Sequence, residues 1–205
     1  MSSEFKYQTP LKCLIFHSKL TYFMIIEEGK YYHIYNRSNN NEIVFKEEDN
    51  YDYFLKKYHL YCDSFFKTEA YCLMPTHFHF LVRSQSNNIE GIRKSIALLL
   101  SSYTKAINKR MDRHGSLFQS RTKAKEIIDD SYLITLISYI HQNPIRVKLV
   151  NHLDDWQHSS YQKMIQMNHE EWMKNDLLSS FFDSSLDFRI FSEKMIECIK
   201  KDFWI

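Results

Sequence analysis

Tyr71-Cys72-Leu73-Met74-Pro75-Thr76-His77-Phe78-His79-Phe80-Leu81-Val82 decides how this chain folds. The runs 67–73 and 77–83 read as strands. Pro75 between them lacks an amide donor, so it marks a break rather than a position inside a hydrogen-bonded ladder. Alternate side chains on a strand share a face. Phe78 and Phe80 therefore enter a core from one side, while His77 and His79 line the other.

Working outward, Tyr31-Tyr32-His33-Ile34-Tyr35-Asn36 follows the break at Gly29-Lys30 and reads as another strand. Tyr51, Phe54, Leu55, Tyr58 and Tyr61 recur at helical spacing within 47–61, with acids in the first turn. A long helix is expected over 88–111, closed by the Arg113-His114-Gly115 turn, and residues 117–127 are expected to be extended. Asp130 is expected to cap a helix that runs to about Asn143, where Pro144 should stop it. Ser159-Ser160 introduces a short helix through Met167. The last thirty residues read as helical, with a stripe of Phe188, Ile190, Phe191, Met195, Ile196 and Ile199. The order β, α, β, β, α, β, α matches the split βαβ plan: an α+β fold with a ferredoxin-like antiparallel sheet covered by helices.

The 205 residues allow one domain with additions, or two small ones. Residues 1–23 read as an N-terminal extension, since Met24 is a plausible alternative start. Residues 24–165 read as the principal domain and 166–205 as a helical C-terminal extension. Fourteen Tyr and 15 Phe give ample material for a core, while 3 Gly and 3 Pro leave little room for long linkers. Cys13, Cys62, Cys72 and Cys198 are scattered, which suits a reduced, cytoplasmic protein better than a disulfide scaffold or structural zinc site. No apolar run approaches the length of a membrane span.

The net charge of +2 conceals an asymmetry. Residues 91–125 hold nine Lys or Arg against one acid, Asp112. A charge run is often only a solvated face. Concentration into one segment between two chemically loaded motifs favours a polyanion-binding surface.

With ten histidines in the chain, a His-x-His pair by itself says little. Its place on a strand whose other face is phenylalanine gives it weight, because two imidazoles can hold one metal ion and leave open positions for a phosphate oxygen and water. Imidazole favours Mn, Zn or Fe, and a third, oxygen ligand makes Mg²⁺ or Mn²⁺ reasonable. Tyr139-Ile140-His141-Gln142-Asn143-Pro144 supplies such an oxygen: Tyr139 and Asn143 are one helical turn apart and share a face. Tyr103, Tyr132 and Tyr161 are rivals to Tyr139, which stands out through Asn143 beside it. A phenol with a pKa near 10 is a weak nucleophile at neutral pH, and a neighbouring cation can activate it toward a phosphate. His141 points to another side of the helix and reads as supporting.

The stretches 71–82 and 139–144 resemble the single-tyrosine HUH transposases, most nearly the REP-associated tyrosine transposases and related insertion-sequence enzymes. Tyr32-His33-Ile34-Tyr35-Asn36-Arg37, His114-Gly115-Ser116-Leu117-Phe118-Gln119-Ser120-Arg121 and Trp156-Gln157-His158-Ser159-Ser160-Tyr161 extend the likeness across roughly 24–165. The resemblance implies that His77 and His79 are metal ligands, Asn143 a third ligand and Tyr139 the nucleophile. The implied reaction cleaves single-stranded DNA through a 5′-phosphotyrosine link, leaves a free 3′-hydroxyl, and rejoins strands by reversal. Two departures stand out: Thr76 where that family usually has Asn, and Val147-Lys148-Leu149 in place of a common His-Gly.

The resemblance also implies single-stranded or hairpin DNA as partner, with Arg37, Lys105, Lys109, Arg121, Lys123 and Lys125 as phosphate contacts. Phe118 or Tyr103 can stack on an unpaired base, against a plain core reading of each. A monomer or homodimer in the bacterial cytoplasm, nucleoid-associated when bound to DNA, follows. The alternatives are a non-catalytic module holding structured nucleic acid or acting as a regulator, and a water-using phosphoesterase, which would not need the tyrosine.

Overall fold

Alternation of apolar and polar side chains organises four strands: β1 (Tyr31–Arg37), β2 (Phe66–Met74), β3 (His77–Ser84) and β4 (Lys123–Ile127). The computed structural model describes residues 25–194. The expected extension at 1–23 and the stripe positions Met195, Ile196 and Ile199 lie outside them. The strands form one sheet in the order β2-β3-β1-β4, and every neighbouring pair is antiparallel. With α1 (Glu48–Cys62) after β1 and α2 (Ile89–Arg110) after β3, this is the expected α+β, ferredoxin-like arrangement.

One face of the sheet is aromatic. Tyr32 and Ile34 of β1, Leu73 of β2, and Phe78, Phe80 and Val82 of β3 pack with Phe54 and Tyr58 of α1 and Ile92, Ile96, Leu99 and Tyr103 of α2. The Tyr58 and Phe80 rings lie parallel with centroids 4.1 Å apart, while Phe54 meets Phe45 and Tyr103 edge-on. Tyr103 and Phe118 both belong to this core, at 0% and 3% exposure, so neither offers a ring for base stacking. The Tyr103 hydroxyl is committed to the carbonyl of Val44 at 2.7 Å.

The opposite face carries α3 (Asp130–Arg146), which packs on Ala70, Cys72 and Met74 of β2 and Leu81 of β3. Short helices α4 (Tyr161–Ile165), α5 (His169–Met173), α6 (Asp176–Ser179) and α7 (Ser185–Glu193) continue the same apolar cluster through Tyr161, Trp172, Leu178 and Phe188. Of the expected C-terminal stripe, Phe188 is buried while Ile190 is half exposed. Residues 158–160 lie along the outer edge of β2, with Leu73 N–H donating to the His158 carbonyl and Ser160 N–H to that of Tyr71, which covers an otherwise open edge.

Three local expectations change. The extended segment 117–127 is a strand only over β4, with 117–122 held irregularly by a bridge between Ser38 and Phe118. The N-cap of α3 is Asp129, whose carboxylate accepts from the amides of Ser131 and Tyr132, rather than Asp130. Pro144 does not end α3, which runs on to Arg146. Proline removes the amide that would bond the Ile140 carbonyl. The Asn143 side chain replaces it, Nδ2 donating to the Ile140 carbonyl at 3.2 Å and to the Tyr139 carbonyl at 3.0 Å. No helix among the described residues is long and apolar enough to cross a membrane.

Candidate active site

Antiparallel register places the chemistry-bearing side chains on the face that α3 covers. His79 lies across from Tyr35, and Tyr35 from Lys123 on the far side. His77 lies across from Arg37, while His33 lies across from Leu81 on one side and Lys125 on the other. His33, Tyr35, Arg37, His77, His79, Lys123 and Lys125 therefore share one surface.

The histidine rings of the pair sit 5.1 Å apart between centroids and nearly perpendicular, at 85°. Each ring has its Nδ1 engaged: that of His77 with Thr76 Oγ1 at 3.0 Å, and that of His79 with His33 Nε2 at 2.9 Å. Burial pushes the His77 pKa down to about 4, with the Arg37 charge adding to the effect. Burial, then His33 and His77, hold His79 well below the ordinary imidazole range. His33 is pushed down to about 3 by burial, with Lys125 contributing. All three imidazoles are neutral at neutral pH, the form that ligates metals.

His79 Nε2 is buried and has no hydrogen-bond partner. An orphaned buried polar atom costs about 1–3 kcal/mol. A divalent cation accepting that nitrogen's lone pair would relieve the cost, so the donor set fits the metal implied by the motif. Among the described residues no group of three or more His, Cys, Asp or Glu is placed to hold an ion. The pair must be completed by neutral or substrate oxygens. Asn143, 7% exposed, can offer Oδ1, because its Nδ2 must face the two helix carbonyls it bonds. Carbonyls only accept, which fixes the orientation of the amide.

Tyr139 is 9% exposed, and its ring stands edge-on to His79 with centroids 6.4 Å apart at 85°. Burial raises its phenol pKa, and the Arg146 guanidinium, 5.1 Å from the ring centroid, opposes that rise. Arg146 Nη2 donates to Gln142 Oε1 at 3.1 Å, and Gln142 Nε2 donates to the carbonyls of Ser192 and Lys194, each at 2.8 Å. The end of α7 thus steadies the helix that carries the tyrosine. His141 faces away, bonded to Ser160 Oγ at 2.8 Å and packed against Tyr161 and Phe188, as its supporting reading requires.

The basic residues divide between layers. Arg37, Lys123 and Lys125 are on the histidine face, with Lys123 Nζ 5.7 Å from the centre of the Tyr35 ring. Lys105 and Lys109 are exposed on α2, in the layer behind the sheet, and Arg121 is exposed in the loop before β4. Arg110 and Arg113 serve the fold, pairing with Glu47 and Glu42.

His33, Thr76 and Arg146 are the site residues that the local spacing did not single out. His33 alternates with Tyr35 and Arg37 in β1, so its face was legible. Its meeting with His79 depends on a cross-strand register that no local pattern encodes.

The comparisons with known proteins converge. A curated relative, a putative REP-associated tyrosine transposase of Haemophilus influenzae (strain ATCC 51907 / DSM 11121 / KW20 / Rd), is 27% identical over 134 residues, covering 60% of this chain and 76% of the relative. Among solved structures, a REP-associated tyrosine transposase bound to a REP hairpin superposes with a TM-score of 0.56 at 14% identity, over 80% of this chain and 86% of that one, a likeness of fold. The family described as IS200-like transposases matches residues 28–143, from the turn before β1 to Asn143. That span exceeds half of the chain and contains the histidine pair and Tyr139, and the protein belongs to the IS200-like transposase family.

Proposed function

We propose that this protein cleaves and rejoins single-stranded DNA beside a hairpin, with Tyr139 as the nucleophile. The observation that carries the reading is the edge-on placement of Tyr139 against His79, whose buried Nε2 is left without a partner. His77, His79 and Asn143 Oδ1 would hold Mg²⁺ or Mn²⁺, which when bound supplies polarisation of the phosphate and compensation of developing negative charge.

The residues of the chain do the rest. The Tyr139 phenol oxygen attacks phosphorus in line, and the bond from phosphorus to the 3′-oxygen breaks. Tyr139 gives up its proton and the departing 3′-oxygen gains one, so the products are a 5′-phosphotyrosine and a free 3′-hydroxyl. Attack by another 3′-hydroxyl on that link reverses the step and joins strands without nucleotide hydrolysis. Arg37, Lys123 and Lys125 line the reacting face and neutralise backbone phosphates there. Lys105, Lys109 and Arg121, outside that face, hold the hairpin stem. The structural relative bound to a REP hairpin supports this choice of partner.

The test is cleavage of a hairpin-flanked single-stranded oligonucleotide in Mn²⁺. The parent should release a product ending in a 3′-hydroxyl, and His77→Ala and His79→Ala should each lose about two orders of magnitude or more in rate. Cleavage by both variants at the parental rate would remove the histidine pair from the chemistry.

A further inference from the structure

Three histidines, not two, meet on the reacting face. His33 is fully buried, its ring lies nearly coplanar with that of His79, centroids 5.1 Å apart and 12° between planes, and His33 Nε2 lies 2.9 Å from His79 Nδ1. At that separation the two nitrogens share one proton in a hydrogen bond and cannot both ligate an ion. The bond has two possible directions. If His33 donates, the remaining proton of neutral His79 sits on Nε2 and leaves that nitrogen no lone pair for an ion. If His79 donates, its Nε2 carries a lone pair and the proton of neutral His33 sits on His33 Nδ1, which is buried as His79 Nε2 is, so the ligand role of His79 rather than burial selects this direction.

We propose that His33 is a positioning residue that accepts the Nδ1 proton of His79 and thereby fixes both the tautomer and the ring plane in which His79 offers Nε2 to a divalent cation. The inference rests on the proposed role of the histidine pair. Metal-bound histidines generally have their second nitrogen oriented in this way, and removing the orienting group costs 10–100-fold in affinity or activity. Thr76 Oγ1 plays the matching part for His77 at 3.0 Å, so both rings keep Nε2 as the nitrogen not engaged by its orienting group. The threonine in place of the usual family asparagine retains an acceptor for that purpose.

Two measurements on the full chain test it. In the metal-free protein, long-range ¹⁵N–¹H spectra of the imidazoles should place the His79 proton on Nδ1. Finding it on Nε2 overturns the proposal. Mn²⁺ affinity, read by water-proton relaxation without DNA, should weaken about 10–100-fold in His33→Phe. His33→Gln, whose Oε1 can accept the same proton, should stay near the parent, a rescue that a purely packing role would not give. If His33→Phe does not fold, the spectra of the parent and the affinity of His33→Gln decide. Parental affinity in His33→Phe, with affinity lost in His79→Ala, would show that His33 only packs. Parental affinity in His79→Ala as well would overturn the proposed metal site and this inference together.

Discussion

Asn143 carries two demands that pull in different directions. Its Nδ2 supplies the donor that Pro144 withholds from the Ile140 carbonyl, while its Oδ1 is the proposed ligand. Asn143→Asp would give a harder oxygen ligand but place a charged acceptor against two carbonyls. It should cost about 1–3 kcal/mol of stability, measured by denaturant unfolding of the metal-free protein. Unchanged stability would mean those carbonyl contacts contribute little. Glu69 illustrates a buried charge with a poor partner: 5% exposed, with Lys67 Nζ no nearer than 3.7 Å. Burial raises its carboxyl pKa, and the Lys67 charge opposes the rise. A carboxyl with a raised folded pKa contributes its stability below the unfolded value of about 4.3 and loses it as pH rises through the folded one. Glu69→Gln should therefore raise Tm at pH 7, with the gain closing toward pH 4; an equal gain at both would sink the charge argument. At this scale the placement of His77 with His79 on one strand face, and of Tyr139 one helical turn from Asn143, was legible because strand and helix periods set such faces locally. His33 was not, because its partner is 46 positions away across a sheet register.

At the scale of elements, the helix carrying Tyr139 is defined by its ends. Asp129 caps its start. Its exit is a Schellman motif in which Lys148 N–H donates to the Ile145 carbonyl and Leu149 N–H to the Pro144 carbonyl, each at 2.9 Å. The motif needs a left-handed residue, and Lys148 supplies it at φ 60°, where a side chain costs about 1–2 kcal/mol and glycine does not. This gives physical meaning to the departure from His-Gly noted in the sequence. Lys148→Gly should stabilise the protein by about 1 kcal/mol, partly offset by the entropy glycine loses on folding. A lower Tm would indicate that the lysine side chain has a contact of its own. Strand and helix positions followed closely from periodicity: the 88–111 expectation differs from α2 by one residue at each end. Pro144 does not stop the helix because the side chain one residue earlier repairs the break through a local bond to the carbonyls three and four residues back, which backbone propensity leaves out.

At the scale of the molecule, one sheet separates two kinds of interior. Behind it, α1 and α2 seal an aromatic core; before it, α3 and the C-terminal helices cover a face lined by histidine, tyrosine and lysine. The alternation Phe-His-Phe in β3 announced this division, while the attachment of α7 to α3 through Gln142 and Ser192 was beyond any local pattern. The proposed division of basic residues has a measurable consequence. Lys105→Glu and Lys109→Glu should weaken hairpin binding and each lower the salt slope by about one or more, without slowing cleavage once DNA is saturating. Lys123→Glu, beside the histidines, should slow cleavage even at saturation. Equal behaviour of all three would erase the distinction between a grip on the stem and a lining of the site.

The proposed reaction attaches Tyr139 covalently to DNA. The full-length protein, incubated with a hairpin-flanked single-stranded oligonucleotide and Mn²⁺, should yield a denaturant-resistant adduct whose peptide map places the nucleotide on Tyr139. Tyr139→Phe retains the ring against His79 and should form none while still binding the hairpin. An adduct on Tyr132 or another tyrosine, or cleavage that leaves no adduct and survives Tyr139→Phe, would rule out Tyr139 as the nucleophile.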